Sequence, residues 1–149
     1  MAMFRGPEQR RAARIRFRQV DNIEVRYKFL SHLDDFQCDR IFRGSISNLS
    51  KGGALFTGPI PDSSWLPKLG TGQVLIGMNV MIPDGRPIKC LASLRWTRPG
   101  EFVPDGEGSY ELGVQFEQLE PEHRNALSKF LIGYQIRTRK FRRERLEDI

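Results

Sequence analysis

Pro83-Asp84-Gly85-Arg86-Pro87 lies between two runs of strand-forming residues, Gln73 to Ile82 and Ile88 to Trp96, and nothing else in the chain constrains its fold as tightly. A short Asp-Gly connection between such runs favours a tight turn that sends the chain back antiparallel to itself. The same grammar recurs elsewhere. Phe42 to Asn48 is broken by Gly52-Gly53 and resumes from Ala54 to Phe56, and Tyr110 to Phe116 alternates as a closing strand. Ile15 to Val20 and Ile23 to Leu30, separated by Asp21-Asn22, form one interrupted strand or two short ones.

The intervening segments are connections. Ser31 to Arg40 is polar and without period, Gly58 to Gly72 carries three prolines and three glycines, and Arg98 to Ser109 is rich in glycine, proline and acid. After the last strand, Pro121 is placed to open a helix, with Glu120 and Glu122 at its positive end. Leu127, Phe130, Leu131 and Tyr134 follow the helical period and give it one apolar face. Short strands divided by turns, followed by one amphipathic helix, predict a mainly β fold: a small six-stranded antiparallel β-barrel with a C-terminal α-helix. The expected division is a flexible arm over 1–9, the barrel over 10–118, and the helix with its basic end over 119–149.

A chain of 149 residues can bury such a core without disulfides or metal. Cys38 and Cys90 have no metal-ligand spacing, and His32 and His123 are the only imidazoles, so no metal site is expected. Two cysteines fit a reducing cytoplasm. The apolar run Val74 to Ile82 is too short to span a bilayer, and the N-terminus lacks the apolar core of a signal peptide.

The net charge of +6 is concentrated at the ends. Arg5, Arg10, Arg11, Arg14, Arg16 and Arg18 outweigh Glu8 at one end, and the run from Arg137 to Arg145 outweighs Glu144 at the other. Basic ends on a mildly acidic body suit anionic partners. Catalysis is not expected. Asp34-Asp35 are neighbours in a loop, neither histidine has a nucleophile or metal pattern beside it, and SKGGA lacks the Lys-Ser/Thr end of a phosphate-binding loop.

Two polar motifs sit where loops meet strands. Arg-x-x-x-Arg occurs as Arg10/Arg14, Arg14/Arg18 and Arg139/Arg143, and only the first leads from a loop directly into a strand. Guanidinium forks match phosphate oxygens and the O6/N7 edge of guanine, although the same arginines also suit a solvated basic arm. Asn48-x-Ser50-x-x-Gly53 occurs once, with an amide and a hydroxyl available to a ligand or to the turn itself, and Gly52-Gly53 allowing close backbone approach.

Together the motifs resemble the PilZ family, whose members bind cyclic di-GMP. The likeness extends in order through GSISNLSKGGALF, PDGRPIKCLASLRW and YELGVQFEQLEPEHRNALSKFL, covering about residues 8 to 132. The resemblance implies Arg10, Arg14, Asn48, Ser50 and Gly53 as binding residues, with Arg11 as an auxiliary contact. Trp96, beside Arg95 at the end of a predicted strand, is a candidate guanine-stacking surface or a half-buried packing residue. The interval from Arg14 to Asn48 exceeds the family pattern, with Ser31 to Arg40 as the excess.

The expected function is therefore a cyclic di-GMP receptor that changes conformation and signals to a partner protein, with no cofactor, no metal and no membrane span. Nucleic acid is not the expected partner. The alternatives are a basic barrel that binds nucleic acid and a PilZ-like adaptor that does not bind nucleotide.

Overall fold

The computed structural model describes residues 15–16, 23–83, 85–100 and 109–147, with side chains described over 23–83, 85–100 and 109–137. Arg10, Arg11 and Arg14 lie outside these residues. So does most of the connection expected between Arg98 and Ser109.

Among the described residues, seven strands and two helices follow in order: β1 (Ile15–Arg16), β2 (Ile23–Ser31), β3 (Phe42–Leu49), β4 (Gly53–Pro59), α1 (Leu66–Gly70), β5 (Val74–Met81), β6 (Ile88–Pro99), β7 (Ser109–Gln118) and α2 (Pro121–Glu147). The sheet runs β3-β2-β5-β6-β7-β4 and closes through β3–β4 pairing, giving a six-stranded antiparallel barrel. The two-residue β1 is an addition to that ring. It pairs with β3 on the edge that β2 also uses, Ile15 opposite Leu49 and Arg16 opposite Asn48. The Asp-Gly hairpin joins β5 to β6, with Val80 opposite Ile88.

Alternation builds the interior. Ile23, Val25, Tyr27 and Phe29 of β2, and Val74, Ile76, Met78 and Val80 of β5, all point inward and are buried, while their neighbours face out. Tyr27 anchors an aromatic cluster, stacked on Phe42 with centroids 5.7 Å apart and tilted against Phe56 at 4.9 Å. Its hydroxyl donates to the Pro59 carbonyl at 2.5 Å, so the buried phenol is satisfied.

The segment Gly58 to Gly72, expected as a connection, carries structure of its own. β4 runs on to Pro59, a single 3-10 turn follows at Ser63–Trp65, and α1 completes it. Asp62 caps that turn by accepting from the Ser64 amide at 2.8 Å. Trp65 and Leu69 are buried, and Trp65 lies 5.6 Å from the Phe29 ring and 5.4 Å from Phe36. The segment plugs one end of the barrel. Phe36 and Leu33 bring part of the 31–40 connection onto the same core.

The helix starts at Pro121 as expected. Leu127 and Leu131 are buried, Phe130 and Tyr134 pack against the core beside them, and the His123 Nδ1 accepts from the Lys89 backbone amide of β6 at 3.1 Å.

Candidate functional site

Regular alternation would send Asn48 and Trp96 into the barrel. On β3 the inward residues are Phe42 and Ile46, so the next inward position by a period of two is 48. Leu49 is buried there instead, because an irregularity between Ile46 and Asn48 inserts one extra residue, Ser47, against β4. Such a bulge reverses the facing of every later side chain. Asn48 is thereby turned to the outer surface.

The same device operates on β6. Ile88, Cys90, Ala92 and Leu94 face inward, and position 96 would follow. A register shift between Leu94 and Trp96 makes Arg95 the extra residue and leaves Trp96 opposite Gly113 on β7. Gly113 faces out between the buried Leu112 and Val114, and a Cβ there would overlap the indole ring. Trp96 therefore lies flat over bare backbone. The indole sits in the interior of β6, not at a strand end as the sequence suggested, since β6 runs to Pro99.

Between these two outward residues lies the β3–β4 turn. The Ser50 amide donates to the Gly53 carbonyl at 2.9 Å, and the Gly52 amide donates to the Ser50 hydroxyl at 3.2 Å. The Gly52 carbonyl accepts from Phe116 of β7 at 2.8 Å, which fastens the turn to the neighbouring strand. At Gly53 any Cβ would collide with the Val114 carbonyl oxygen, so glycine is required by close approach of two backbones. Ser50 is thus committed in part to its own turn.

The result is one concavity of about 50 Å³ lined by Asn48, Leu49, Ser50, Gly53, Ala54, Leu55 and Trp96. Four residues predicted from sequence, Asn48, Ser50, Gly53 and Trp96, meet in it. The concavity is shallow and opens on the outer wall of the barrel. The Asn48 Oδ1 is buried and has no hydrogen-bond partner among the described residues. An unsatisfied buried acceptor costs about 1–3 kcal/mol, so a group of this kind calls for a partner, whether water or ligand.

Two residues that shape this wall escaped the sequence reading. Gly113 is one, since nothing in YELGVQF marks which glycine underlies an aromatic ring. The other is Arg98, whose guanidinium stands 5.6 Å from the Trp96 ring centroid while ion-paired with Glu111. The Trp96–Gly113 and Arg98–Glu111 contacts depend on cross-strand register. Among the described residues no group of His, Cys, Asp and Glu is placed to hold a metal ion, and no helix is long and apolar enough to cross a membrane.

The PilZ domain family model matches residues 8–133. Among solved structures, the PilZ domain of YcgR from Escherichia coli with c-di-GMP aligns at TM-score 0.59 and 14% identity, covering 87% of this chain and 94% of that one. The K. pneumonia MrkH–c-di-GMP complex aligns at TM-score 0.61 and 15% identity, covering 87% of this chain and 52% of the other. PlzA of Borreliella burgdorferi in complex with c-di-GMP aligns at TM-score 0.51 and 12% identity, over 86% and 53%. The chain thus spans about half the length of MrkH and PlzA. No curated protein sequence matches. With the barrel, the outward-turned motif and the family match over most of its length, the chain belongs to the PilZ domain family.

Proposed function

We propose that this protein is a receptor for cyclic di-GMP that acts by changing conformation and passing that change to a partner protein. The observation that carries the reading is the meeting of Asn48, Ser50, Gly53 and Trp96 in one concavity, on the strand edge where β1 pairs. Ile15 stands opposite Leu49, and Arg14 precedes it in the chain. Arg14 directly precedes the β1 residue that pairs beside the pocket, which supports a role for the arginine motif there.

The division of labour follows from the chemistry of each group. Arg10 and Arg14, with Arg11 in support, supply forked donors for phosphate oxygens and for the guanine edge. A donor from the ligand satisfies the Asn48 Oδ1, and Trp96, whose inner face rests on Gly113, offers an aromatic surface for a purine beside the Arg98 guanidinium. Drawing the arginines onto this wall is the conformational change, and the altered surface is what a partner reads. No step of this scheme makes or breaks a covalent bond, so the module is non-catalytic and needs no cofactor besides its ligand. Related domains in YcgR, MrkH and PlzA were solved with c-di-GMP, which supports the reading. A cytoplasmic location suits a receptor for an intracellular nucleotide, and the division into arm (1–9), barrel (10–118) and helix (119–149) matches these roles.

Calorimetric titration of the whole chain tests the reading. Saturable binding of cyclic di-GMP, in preference to cyclic di-AMP and GTP, is the expected result. Absence of heat at high micromolar ligand overturns it and leaves the adaptor. Tighter binding of an oligonucleotide, steeply dependent on salt, favours the nucleic-acid alternative.

A further inference from the structure

On the opposite part of the wall, register aligns a row of outward side chains across four strands. Arg43 of β3 stands opposite Arg26 of β2, Arg26 opposite Asn79 of β5, and Asn79 opposite Lys89 of β6. At the usual strand spacing this row is about 14 Å long. Lys28 lies two residues from Arg26 on the same face and stands opposite Gly77, which has no side chain to fill the space. The outcome is a groove of about 330 Å³ whose lining includes Arg26, Lys28, Ile41, Gly77, Asn79 and Lys89. It shares no residue with the concavity at Asn48.

The charges along it are poorly balanced. Arg43 and Arg26, like charges directly opposite, share the single carboxylate of Glu24 at 3.7 Å and 3.5 Å, an arrangement that costs stability unless something else neutralises it. Neither Lys28 nor Lys89 forms an ion pair among the described residues, and both are exposed.

Two further atoms identify the chemistry that belongs there. The Arg26 Nε is a buried donor and the Asn79 Oδ1 a buried acceptor, paired across β2 and β5, and neither has a hydrogen-bond partner among the described residues. A phosphodiester group supplies acceptors only. A peptide bearing an acidic side chain supplies both, a carboxylate for the guanidinium and lysines and a backbone N–H for the amide oxygen. The rim adds apolar surface, with Ile41 69% exposed and Leu30 39% exposed beside Gly77.

From charge complementarity and this donor–acceptor pair, we propose that the β2–β5–β6 face is a docking groove for an acidic segment of a partner protein, carrying an apolar residue next to its carboxylates. The groove stands on its own residues and is independent of cyclic di-GMP binding.

Backbone-amide NMR titration of the whole chain with a synthetic peptide of alternating Glu, Asp and Leu tests the proposal. Shifts concentrated at Arg26, Lys28, Gly77, Asn79 and Lys89 are expected. The Lys28→Glu/Lys89→Glu double variant, altered only at exposed positions, should lose about tenfold or more in affinity with a thermal midpoint unchanged or raised and cyclic di-GMP affinity unchanged. Asn79→Ala should weaken the peptide without reversing any charge. Unchanged affinity in the double variant, shifts centred on the basic run 137–145, or equal competition by inorganic phosphate or a single-stranded oligonucleotide would each overturn it.

Discussion

Trp96 and Gly113 face each other across β6 and β7, and the indole occupies the place where any larger side chain at 113 would have to go. The position of the indole beside Asn48 therefore depends on a residue outside the lining of the concavity. Gly113→Ala should push the indole off the strand, costing about 1–3 kcal/mol of stability, the usual range for overpacking. The emission of Trp96, isolated in a Trp65→Phe background, should shift, and cyclic di-GMP affinity should fall with it. Unchanged emission and affinity would mean that the ring does not rest on Gly113.

Asn48 offers a test in which stability and binding move in different directions. Its Oδ1 lacks a partner among the described residues, so Asn48→Ala removes a buried polar group to which none of those residues is bonded. Stability in urea should stay level or rise, while cyclic di-GMP binding weakens by about 0.5–1.5 kcal/mol, the net worth of one hydrogen bond. A variant that loses stability as well would show that the amide serves the fold.

The arginines should weigh more. Arg10→Ala or Arg14→Ala is expected to weaken cyclic di-GMP by about 1.5–3 kcal/mol each, as for hydrogen bonds to charged groups. Ser50→Ala should cost less, because its hydroxyl already accepts from Gly52. Calorimetry ranks them. If removing Arg139 and Arg143 together hurts more than removing Arg10, the arginine pair has been misassigned.

Alkali should destabilise the barrel from within. Burial pushes the Cys90 thiol up from its ordinary 9.0 to about 12, and burial also raises the Tyr27 phenol well above its ordinary value of 10.0. The folded chain keeps both protons where the unfolded chain releases them. Their stabilising contribution is complete below about pH 9 and is lost as pH rises beyond it, by up to about 1.4 kcal/mol per pH unit for each group. Urea titrations at about pH 8 and about pH 10.5 measure the slope. Cys90→Ala should flatten it, and parallel curves for variant and parent would contradict the assignment.

The helix end should prove separable from the pocket. Truncation after Tyr134 keeps Leu127, Phe130 and Leu131 on the core, and cyclic di-GMP affinity should stay within about 0.5 kcal/mol, the usual limit for remote surface changes. A tenfold loss in a folded truncated chain would place the basic run at the ligand.

Much of this architecture was legible in the residues. The Asp-Gly turn, the broken strand around Gly52-Gly53 and the proline that opens α2 are local signals, and each produced the expected element. Trp65 and Leu69 were hidden because prolines and glycines mask helical turns too short to show a period. The outward turn of Asn48 and Trp96 was hidden for a different reason. A bulge is decided by what the partner strand offers, and no single segment records it. The row from Arg43 to Lys89 likewise appears only once four strands are in register.

The pairing of β1 has a mechanical consequence. Its described rungs, Ile15 on Leu49 and Arg16 on Asn48, join the chain to the barrel along the wall that holds the concavity. A load applied outward through β1 therefore passes first into the strand edge bearing Asn48, and only through β3 into the β2 ladder.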